Sequence, residues 1–199
     1  MQRLARKLPF HYGWVIVLTA GCSMFARNAA ASLTLAVFVH PVSQDLGWSR
    51  TLIAGAASLG GLASSVASPA VGWLSDRYGV RLVLTSGVVI LGISTVSLAW
   101  ATVPIAFYLA YGMGRVIFSS SIQIGATVVV ARWFVQQRGR AMGILFLFQS
   151  AGMVLFPLIA SLAIQHRGWQ EAWMLLGALV WIVALGPVYL LIIQRPEDV

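Results

Sequence analysis

Six long apolar windows constrain what this chain can fold into. They cover approximately residues 12–39, 51–73, 82–101, 105–131, 141–163 and 172–193. A helix of about 20 mostly apolar residues spans the roughly 30 Å hydrocarbon core of a bilayer. A β-barrel would instead need segments of about ten residues in which apolar and polar side chains alternate. Only helices and closed barrels satisfy all their backbone hydrogen bonds in lipid. We therefore predict an all-α membrane protein, with one bundle of six transmembrane helices over residues 1–199.

Composition supports the membrane class. Apolar residues make up 59% of the chain and charged residues 9%, with a mean hydropathy of +0.87. A typical soluble domain carries roughly 25% charged residues, so this chain could not cover a globular surface with polar groups. A formal net charge of +8 taken alone suggests nucleic acid. The charges lie mainly between the windows, however, where they act as topology signals, and no nucleic-acid partner is expected.

The basic residues predict the orientation of the bundle. If the N-terminus is cytoplasmic, nine of them fall on the cytoplasmic side: Arg3, Arg6, Lys7, Arg77, Arg81, Arg132, Arg138, Arg140 and Arg195. Only Arg50 and Arg167 fall outside. Because cytoplasmic loops carry the excess of Lys and Arg, both termini are predicted to be cytoplasmic.

Two patterns concern how the helices pack. Small residues recur every fourth position in the second window: Ala56, Gly60, Ser64, Ser68 and Gly72. Such a stripe lets helices approach closely, either as ordinary packing or as a surface on which another bundle rocks.

A shift of 92 residues also aligns 47–60 with 139–152 and matches Gly47 to Gly139, Ser58 to Ser150 and Gly60 to Gly152. This pairing of the second and fifth windows is what a 3+3 inverted repeat predicts.

The loop after the second window carries a motif. It reads GWLSDRYGVR, residues 72–81, and resembles the major facilitator superfamily signature Gly-x-Leu-[Ser/Ala]-Asp-Arg-x-Gly-x-[Arg/Lys] at every defined position. The stretches HYGWVIV, HPVSQDLGWSRT, WFVQQRGRAMGI and QRPED resemble the bacterial monocarboxylate and oxalate/formate porter branch. The resemblance covers the whole chain but only the N-terminal half of a twelve-helix fold.

This resemblance implies a function. It implies the N-terminal half of a secondary transporter, a symporter or antiporter, that moves small carboxylate anions across the bacterial inner membrane by alternating access. The implied partners are the lipid bilayer, the anion, and a second six-helix half in cis, in trans or as a self-pair. It also implies a conformational switch in which the aspartate engages the other half, formed by Gly72, Asp76, Arg77, Gly79 and Arg81. A plain topological clamp is the alternative role for this loop.

Two arginines lie inside windows, at similar predicted depths. Arg27 is in the first window and Arg115 in the fourth, and none of the five acids lies mid-window. A charge at mid-membrane costs about 2.5–3.5 kcal/mol, so such residues usually face a cavity or a partner. A guanidinium matches a carboxylate in a bidentate fork. The missing partner is therefore predicted to be an arriving carboxylate or an acid of the second half. The alternative is a structural role for each arginine, with hydrogen bonding to backbone carbonyls in the case of Arg115.

Polar neighbours extend the candidate site. Helical spacing puts Tyr108, Tyr111 and Ser119 on the face of Arg115, and Ser23 and Thr34 on the face of Arg27. Asn28 is adjacent to Arg27, and Gln149 and Ser150 interrupt the fifth window. These residues predict a cationic, hydroxyl-rich cavity with aromatic walls. The predicted substrate-binding set is Arg27, Asn28, Tyr111, Arg115, Ser119 and Gln149.

Other chemistry finds no support in the sequence. It holds no nucleophile–base–acid grouping, phosphate-binding glycine loop or metal-ligand spacing, so neither enzyme activity, nor a cofactor, nor a metal is expected. Two other functions stay open at this point. One is a non-transporting half-size membrane protein, an accessory subunit or remnant, and the other is a transporter of a neutral substrate such as a sugar or drug.

Overall fold

The computed structural model describes residues 13–134 and 136–191. The predicted start of the first window at residue 12, the predicted end of the last at residue 193, and the terminal basic residues Arg3, Arg6, Lys7 and Arg195 lie outside the described residues. All regular structure within the described residues is helical.

Eight α-helices follow one another along the described chain. They are α1 (Gly13–Ala26), α2 (Ser32–Leu46), α3 (Arg50–Tyr78), α4 (Val80–Ser97), α5 (Pro104–Val116), α6 (Gln123–Trp133), α7 (Arg138–Val180) and α8 (Gly186–Leu191). Tighter 3₁₀ turns fill Arg27–Ala30 and Leu98–Trp100, and wider π turns fill Ile117–Ile122 and Trp181–Leu185. The first and fourth predicted windows are therefore each irregular near their middle, with Arg27 at the start of the 3₁₀ turn and Arg115 two residues before the π turn.

Five segments of the described chain are long and apolar enough to cross a membrane: Gly13–Leu46, Arg50–Tyr78, Val80–Trp100, Pro104–Trp133 and Arg138–Leu190. The all-α membrane class is thus confirmed. The count is five because the predicted fifth and sixth windows both fall within the last segment. That segment has 53 residues, and a straight helix of this length would measure about 80 Å, more than twice the hydrocarbon thickness.

Three glycines mark turns of the backbone. Gly47 (φ 67°), Gly79 (φ 88°) and Gly168 (φ 85°) lie in the left-handed half of conformational space, which glycine adopts without steric cost. Gly47 follows α2 and Gly79 separates α3 from α4. Gly168, with ψ 169°, is non-helical and divides α7 into the arms 138–167 and 169–180.

Two predicted helix ends are wrong. α2 runs to Leu46 instead of ending at residue 39, and α3 runs to Tyr78 instead of residue 73. In both places the apolar window ends before the helix does, because polar residues do not interrupt helical hydrogen bonding. The helices end only where a glycine takes positive φ, at Gly47 and Gly79.

Glycines also set the closest helix approaches. α1 packs mainly on α7, and α3 mainly on α5. A Cβ added to Gly152 of α7 would lie 2.6 Å from Phe25 O of α1, and one added to Gly60 of α3 would lie 2.9 Å from Cγ of Arg115. The predicted small-residue stripe is thus a packing surface at its buried members Ala56, Gly60 and Ser64. The packing expected at Gly72 is not found, since a Cβ there would meet no described atom within 4 Å.

Aromatic and polar contacts tie the ends of spans that are distant in sequence. Trp14 packs against Phe134 with ring centroids 5.0 Å apart and planes tilted by 60°, Trp169 Nε1 donates a hydrogen bond to Asp45 Oδ2 at 2.9 Å, and Arg81 Nη2 donates to Tyr189 O at 2.7 Å. The first span is therefore held to the end of the fourth span at its start and to the last segment at its end.

Gly152→Ala is expected to destabilise the bundle. The atoms that its methyl group meets include backbone of Phe25, which cannot rotate away, so about 1–3 kcal/mol should be lost to overpacking. The melting temperature in lipid nanodiscs measures this. Gly143→Ala is the matched control on the same helix, where an added Cβ meets nothing within 4 Å. Equal melting temperatures for the two variants would contradict the close approach.

Candidate functional site

The first span breaks at the arginine. Arg27–Ala30 forms a 3₁₀ turn, and Ala31 is extended with φ −71° and ψ 150°. The side chain of Asn28 satisfies backbone carbonyls around the break. Its Nδ2 donates to Met24 O, Phe25 O and Gln149 O at 3.1–3.3 Å. The Asn28 carbonyl in turn accepts from Thr34 Oγ1 at 2.7 Å. Backbone groups freed by a break inside a membrane need such partners, and this chain supplies them itself.

Arg27 is buried at the break, with 2% of its surface exposed. Its Nη1 donates to Phe118 O at 2.8 Å and to Gln123 Oε1 at 2.5 Å. Both acceptors belong to the fourth span. Arg27 is thus hydrogen-bonded inside the chain, which the sequence reading left only as an alternative, but both of these acceptors are neutral.

The ring of Phe118 lies against both arginines. The guanidinium carbon of Arg27 is 4.2 Å from the ring centroid, and that of half-buried Arg115 is 4.8 Å from it. The two carbons are therefore no more than 9.0 Å apart, the sum of those distances. A cation over an aromatic face gains about 0.5–2 kcal/mol depending on desolvation. Phe118 therefore stabilises both of these like charges with one ring.

Neither charge is neutralised within the described residues. The one ion pair formed by residues 13–134 and 136–191 joins Arg167 to Glu171 at 3.9 Å, on the surface. The Nε atoms of Arg27 and Arg115 are buried and find no hydrogen-bond partner in this part of the chain. The site is a pair of neighbouring cations, each of which has an N–H group that can still donate a hydrogen bond.

The other predicted site residues fall near this pair in different ways. Tyr111 is buried, and its hydroxyl donates to Ala30 O of the break at 3.3 Å. Gln149 reaches the break through its backbone oxygen, while its side-chain Oε1 is buried without a partner among the described residues. Ser119 is half-buried in the π turn. The structure thus gathers Arg27, Asn28, Tyr111 and Gln149 around the break, with Arg115 joined to them through Phe118.

Three hydroxyl groups predicted near the arginines are bonded to backbone carbonyls. Ser23 Oγ donates to Ala20 O, Thr34 Oγ1 to Asn28 O and Tyr108 OH to Leu52 O, at 2.6–2.7 Å. The prediction of shared faces assumed 3.6 residues per turn throughout, whereas a 3₁₀ turn begins at Arg27 and a π turn follows Val116.

A cavity lies beside the site without including it. It has a volume of about 700 Å³ and is bordered by α3 and α5, with Gly60, Tyr108, Gly112 and Trp100 among its lining residues. Neither arginine lines this cavity. Gly60 nevertheless connects the two, since it packs against the aliphatic stem of Arg115.

The predicted switch loop has a distinct arrangement. Asp76 is exposed and makes no ion pair with any described residue. Arg77 lies over the rings of Trp73 and Tyr78, at 5.1 and 5.7 Å, and Arg81 is bonded to Tyr189. Asp76 is thus paired with neither arginine, and both cations lie over aromatic rings instead, Arg81 over that of Tyr189 at 5.7 Å.

Sequence reasoning missed two members of the site, Phe118 and Gln123. Gln123 carried a usable signal, because it is a polar residue eight positions after Arg115 inside an apolar run. Phe118 carried none, since one aromatic residue in an apolar helix is ordinary. The π turn that brings both to Arg27 has no sequence signature of its own.

Comparison with known proteins gives the family. The sequence profile of the Major Facilitator Superfamily matches residues 16–199, nearly the whole chain. The chain belongs to the major facilitator superfamily. Membership of this superfamily makes it a multi-pass integral membrane protein of a transporter family, and it confirms the resemblance read from the loop at residues 72–81.

Three relatives show how far the similarity extends. The Uncharacterized MFS-type transporter YcxA of Bacillus subtilis is 27% identical over 173 residues, 86% of this chain and 42% of that protein. The Fujikurins efflux protein of Gibberella fujikuroi is 29% identical over 191 residues, 93% of this chain and 39% of that protein. The Probable anion transporter 6, chloroplastic, of Arabidopsis thaliana is 32% identical over 156 residues, 74% and 29% respectively. The chain spans less than half the length of these relatives.

Phe118→Leu is expected to lower the melting temperature in nanodiscs. The change removes the aromatic face that two guanidinium groups share, at a cost of about 1–3 kcal/mol. Phe146→Leu is the matched control, because Phe146 is 44% exposed. A loss of stability no larger for Phe118→Leu than for the control would show that the two cation–π contacts contribute nothing.

Proposed function

We propose that this chain is the N-terminal half of a secondary transporter that moves small carboxylate anions by alternating access. The observation that carries the proposal is the pair of guanidinium groups on Phe118, one buried and one half-buried, within 9.0 Å of each other and with no ion pair to an acid among the described residues. Mid-membrane charge is retained where it serves transport. A carboxylate supplies the missing negative charge and stronger, charge-assisted hydrogen-bond acceptors for the guanidinium groups.

The relatives bear on the substrate only through their names. One is called a probable anion transporter, which agrees with an anion at the arginine pair. Another is called an efflux protein for fujikurins, so the family membership alone leaves other substrates open. The proposed substrate-binding residues are Arg27, Asn28, Tyr111, Arg115, Ser119 and Gln149, and a neutral substrate is the outcome that the uptake experiment below separates.

We propose six membrane crossings, with the last segment crossing twice. Contacts at its ends support this arrangement. Phe134, just before α7, packs against Trp14 at the start of the first span, while Trp169 is hydrogen-bonded to Asp45 at the end of that span. Tyr189 is then bonded to Arg81, at the start of the third span. The chain therefore changes sides between residues 134 and 169 and returns by residue 189, turning at Gly168.

The six crossings would form a 3+3 inverted repeat with both termini cytoplasmic. The repeat-matched glycines play similar parts, since Gly60 and Gly152 each lie at a close contact with a helix that carries site residues. The pair Ser58 and Ser150 is exposed. This likeness supports a common ancestry of the two triplets of helices.

A cysteine-labelling experiment tests this topology. In a Cys22→Ser background, a membrane-impermeant thiol reagent added to intact cells is expected to label Thr102→Cys and Arg167→Cys. Asp76→Cys and Gln137→Cys should react only after the membrane is permeabilised. All four positions are exposed, so failure to react reports the side of the membrane. Absence of labelling at residue 167 in intact cells would exclude the sixth crossing.

A second six-helix half is the proposed partner. The second and fifth spans are the least buried in the chain, with 22% and 33% of their most apolar stretches buried. Their exposed faces include small residues, namely Ala54, Ser58, Ser65, Gly143 and Ser150. Small residues are enriched where helices meet helices. In this arrangement exposed Asp76, with Gly72, Arg77, Gly79 and Arg81, would form the switch that engages the second half, and the anion would bind between the halves.

Arg27→Gln is expected to reduce carboxylate uptake at least tenfold. The experiment measures uptake of labelled pyruvate and oxalate by cells that co-express the chain with a matching second half. Glutamine keeps hydrogen-bonding capacity but removes the charge that attracts the anion. Arg167→Gln, which removes an exposed cation, is the control and should leave uptake unchanged.

The outcomes separate the competing functions. Undiminished carboxylate uptake by Arg27→Gln would remove the proposed role of that residue. Uptake of a sugar or drug that neither anion competes for would favour a neutral substrate. Absence of any uptake with a second half present would favour a non-transporting membrane protein.

A further inference from the structure

Gln123 is hydrogen-bonded to a guanidinium nitrogen of Arg27 that an incoming anion can also bind. Its Oε1 accepts from Arg27 Nη1 at 2.5 Å, and the same nitrogen also donates to Phe118 O at 2.8 Å. Arg27 is 2% exposed, whereas Gln123 is only partly buried. The glutamine is therefore the more accessible partner of this hydrogen bond.

Resting on the anion site proposed above, we propose that Gln123 is a built-in competitor for Arg27, whose amide oxygen the incoming carboxylate must displace. An amide oxygen and a carboxylate oxygen accept the same hydrogen bond from a guanidinium. The amide lacks the charge, so the charge-assisted bond to a carboxylate is the stronger of the two. Binding would exchange a weaker acceptor for a stronger one on the same nitrogen.

The two present acceptors differ in their ability to leave. Phe118 O belongs to the backbone of the π turn Ile117–Ile122 and can move only if that turn rearranges. Gln123 contributes a flexible side chain from the first position of α6. Its backbone oxygen is separately bonded to Thr127 Oγ1 at 2.8 Å, so the side chain can swing without loss of that contact. An incoming anion is therefore expected to displace the side chain of Gln123 and to leave the bond to Phe118 O in place.

Such a competitor has a physical purpose. A buried guanidinium that loses its partners is costly in a membrane, and Gln123 holds Arg27 hydrogen-bonded whenever no anion is bound. The anion in turn binds more weakly than it would to a free Arg27, because only the fraction of molecules with Arg27 released is competent. Gln123 would thus tune affinity so that the substrate can leave as well as enter.

Two substitutions at Gln123 test the proposal on the chain assembled with a matching second half in nanodiscs, with sodium pyruvate titrated at constant ionic strength. Gln123→Met keeps the size of the side chain and removes the acceptor. It is expected to lower the melting temperature without pyruvate and to lower the pyruvate Kd about three- to tenfold. Gln123→Glu supplies a permanent carboxylate. It is expected to raise the melting temperature and to weaken pyruvate binding at least tenfold.

Thr127→Val is the matched control, since it lies one turn further along α6 and removes a hydroxyl that bonds only the helix backbone. Its pyruvate Kd should equal that of the unmodified chain.

The direction in which Gln123→Met changes the pyruvate Kd distinguishes a glutamine that competes with the anion from one that orients Arg27 for it. If Gln123 merely orients Arg27 for the anion, Gln123→Met will bind pyruvate equally or more weakly, and competition is overturned. If pyruvate binding is unaffected by Arg27→Gln, the anion site itself is wrong, whatever Gln123 does. Binding by Gln123→Met but not by the unmodified chain would support competition in its strongest form, and binding by neither would overturn it.

Discussion

The hydrogen bonds that Arg27 donates to Phe118 and Gln123 join the first span of this protein to the fourth. The surrounding structure depends on them, because a guanidinium buried among apolar helices has to be satisfied by the protein itself. The π turn places Phe118 so that its carbonyl oxygen bonds Arg27 and its ring stabilises the charges of both arginines. One residue of the fourth span thereby fixes the level at which both cations lie.

The break in the first span follows from the same constraint. An intact helix would satisfy its own carbonyls, whereas the 3₁₀ turn at Arg27–Ala30 leaves some that need other donors. Asn28 and Thr34 supply these hydrogen bonds, and Gly152 lets α7 come close enough for Gln149 O to accept from Asn28. Polar residues that look like a binding cavity in the sequence are in part the means by which a broken helix remains stable in lipid.

The sequence predicted the class and family of the fold better than its details. Long apolar runs admit only helices in a bilayer, and the loop motif at residues 72–81 is specific, so the all-α membrane class and the superfamily followed directly. Helix ends were misplaced at residues 39 and 73, because hydropathy reports the lipid-buried length while glycine conformation ends the helix. The site was predicted in part. Arg27, Asn28 and Arg115 stood out as polar residues in apolar windows, but Phe118 and Gln123 depended on a turn that has no sequence signature.

The sequence by itself determined that charge is carried into the membrane at Arg27 and Arg115, since any fold of these windows would bury them. Only the tertiary structure decided what those charges meet. Contacts across 91 and 96 residues of sequence, to Phe118 and Gln123, arise from helix packing and from turns tighter or wider than the α-helix. The physical reason is that hydropathy is a property of each segment alone, whereas the partner of a buried charge is set by which segments pack together.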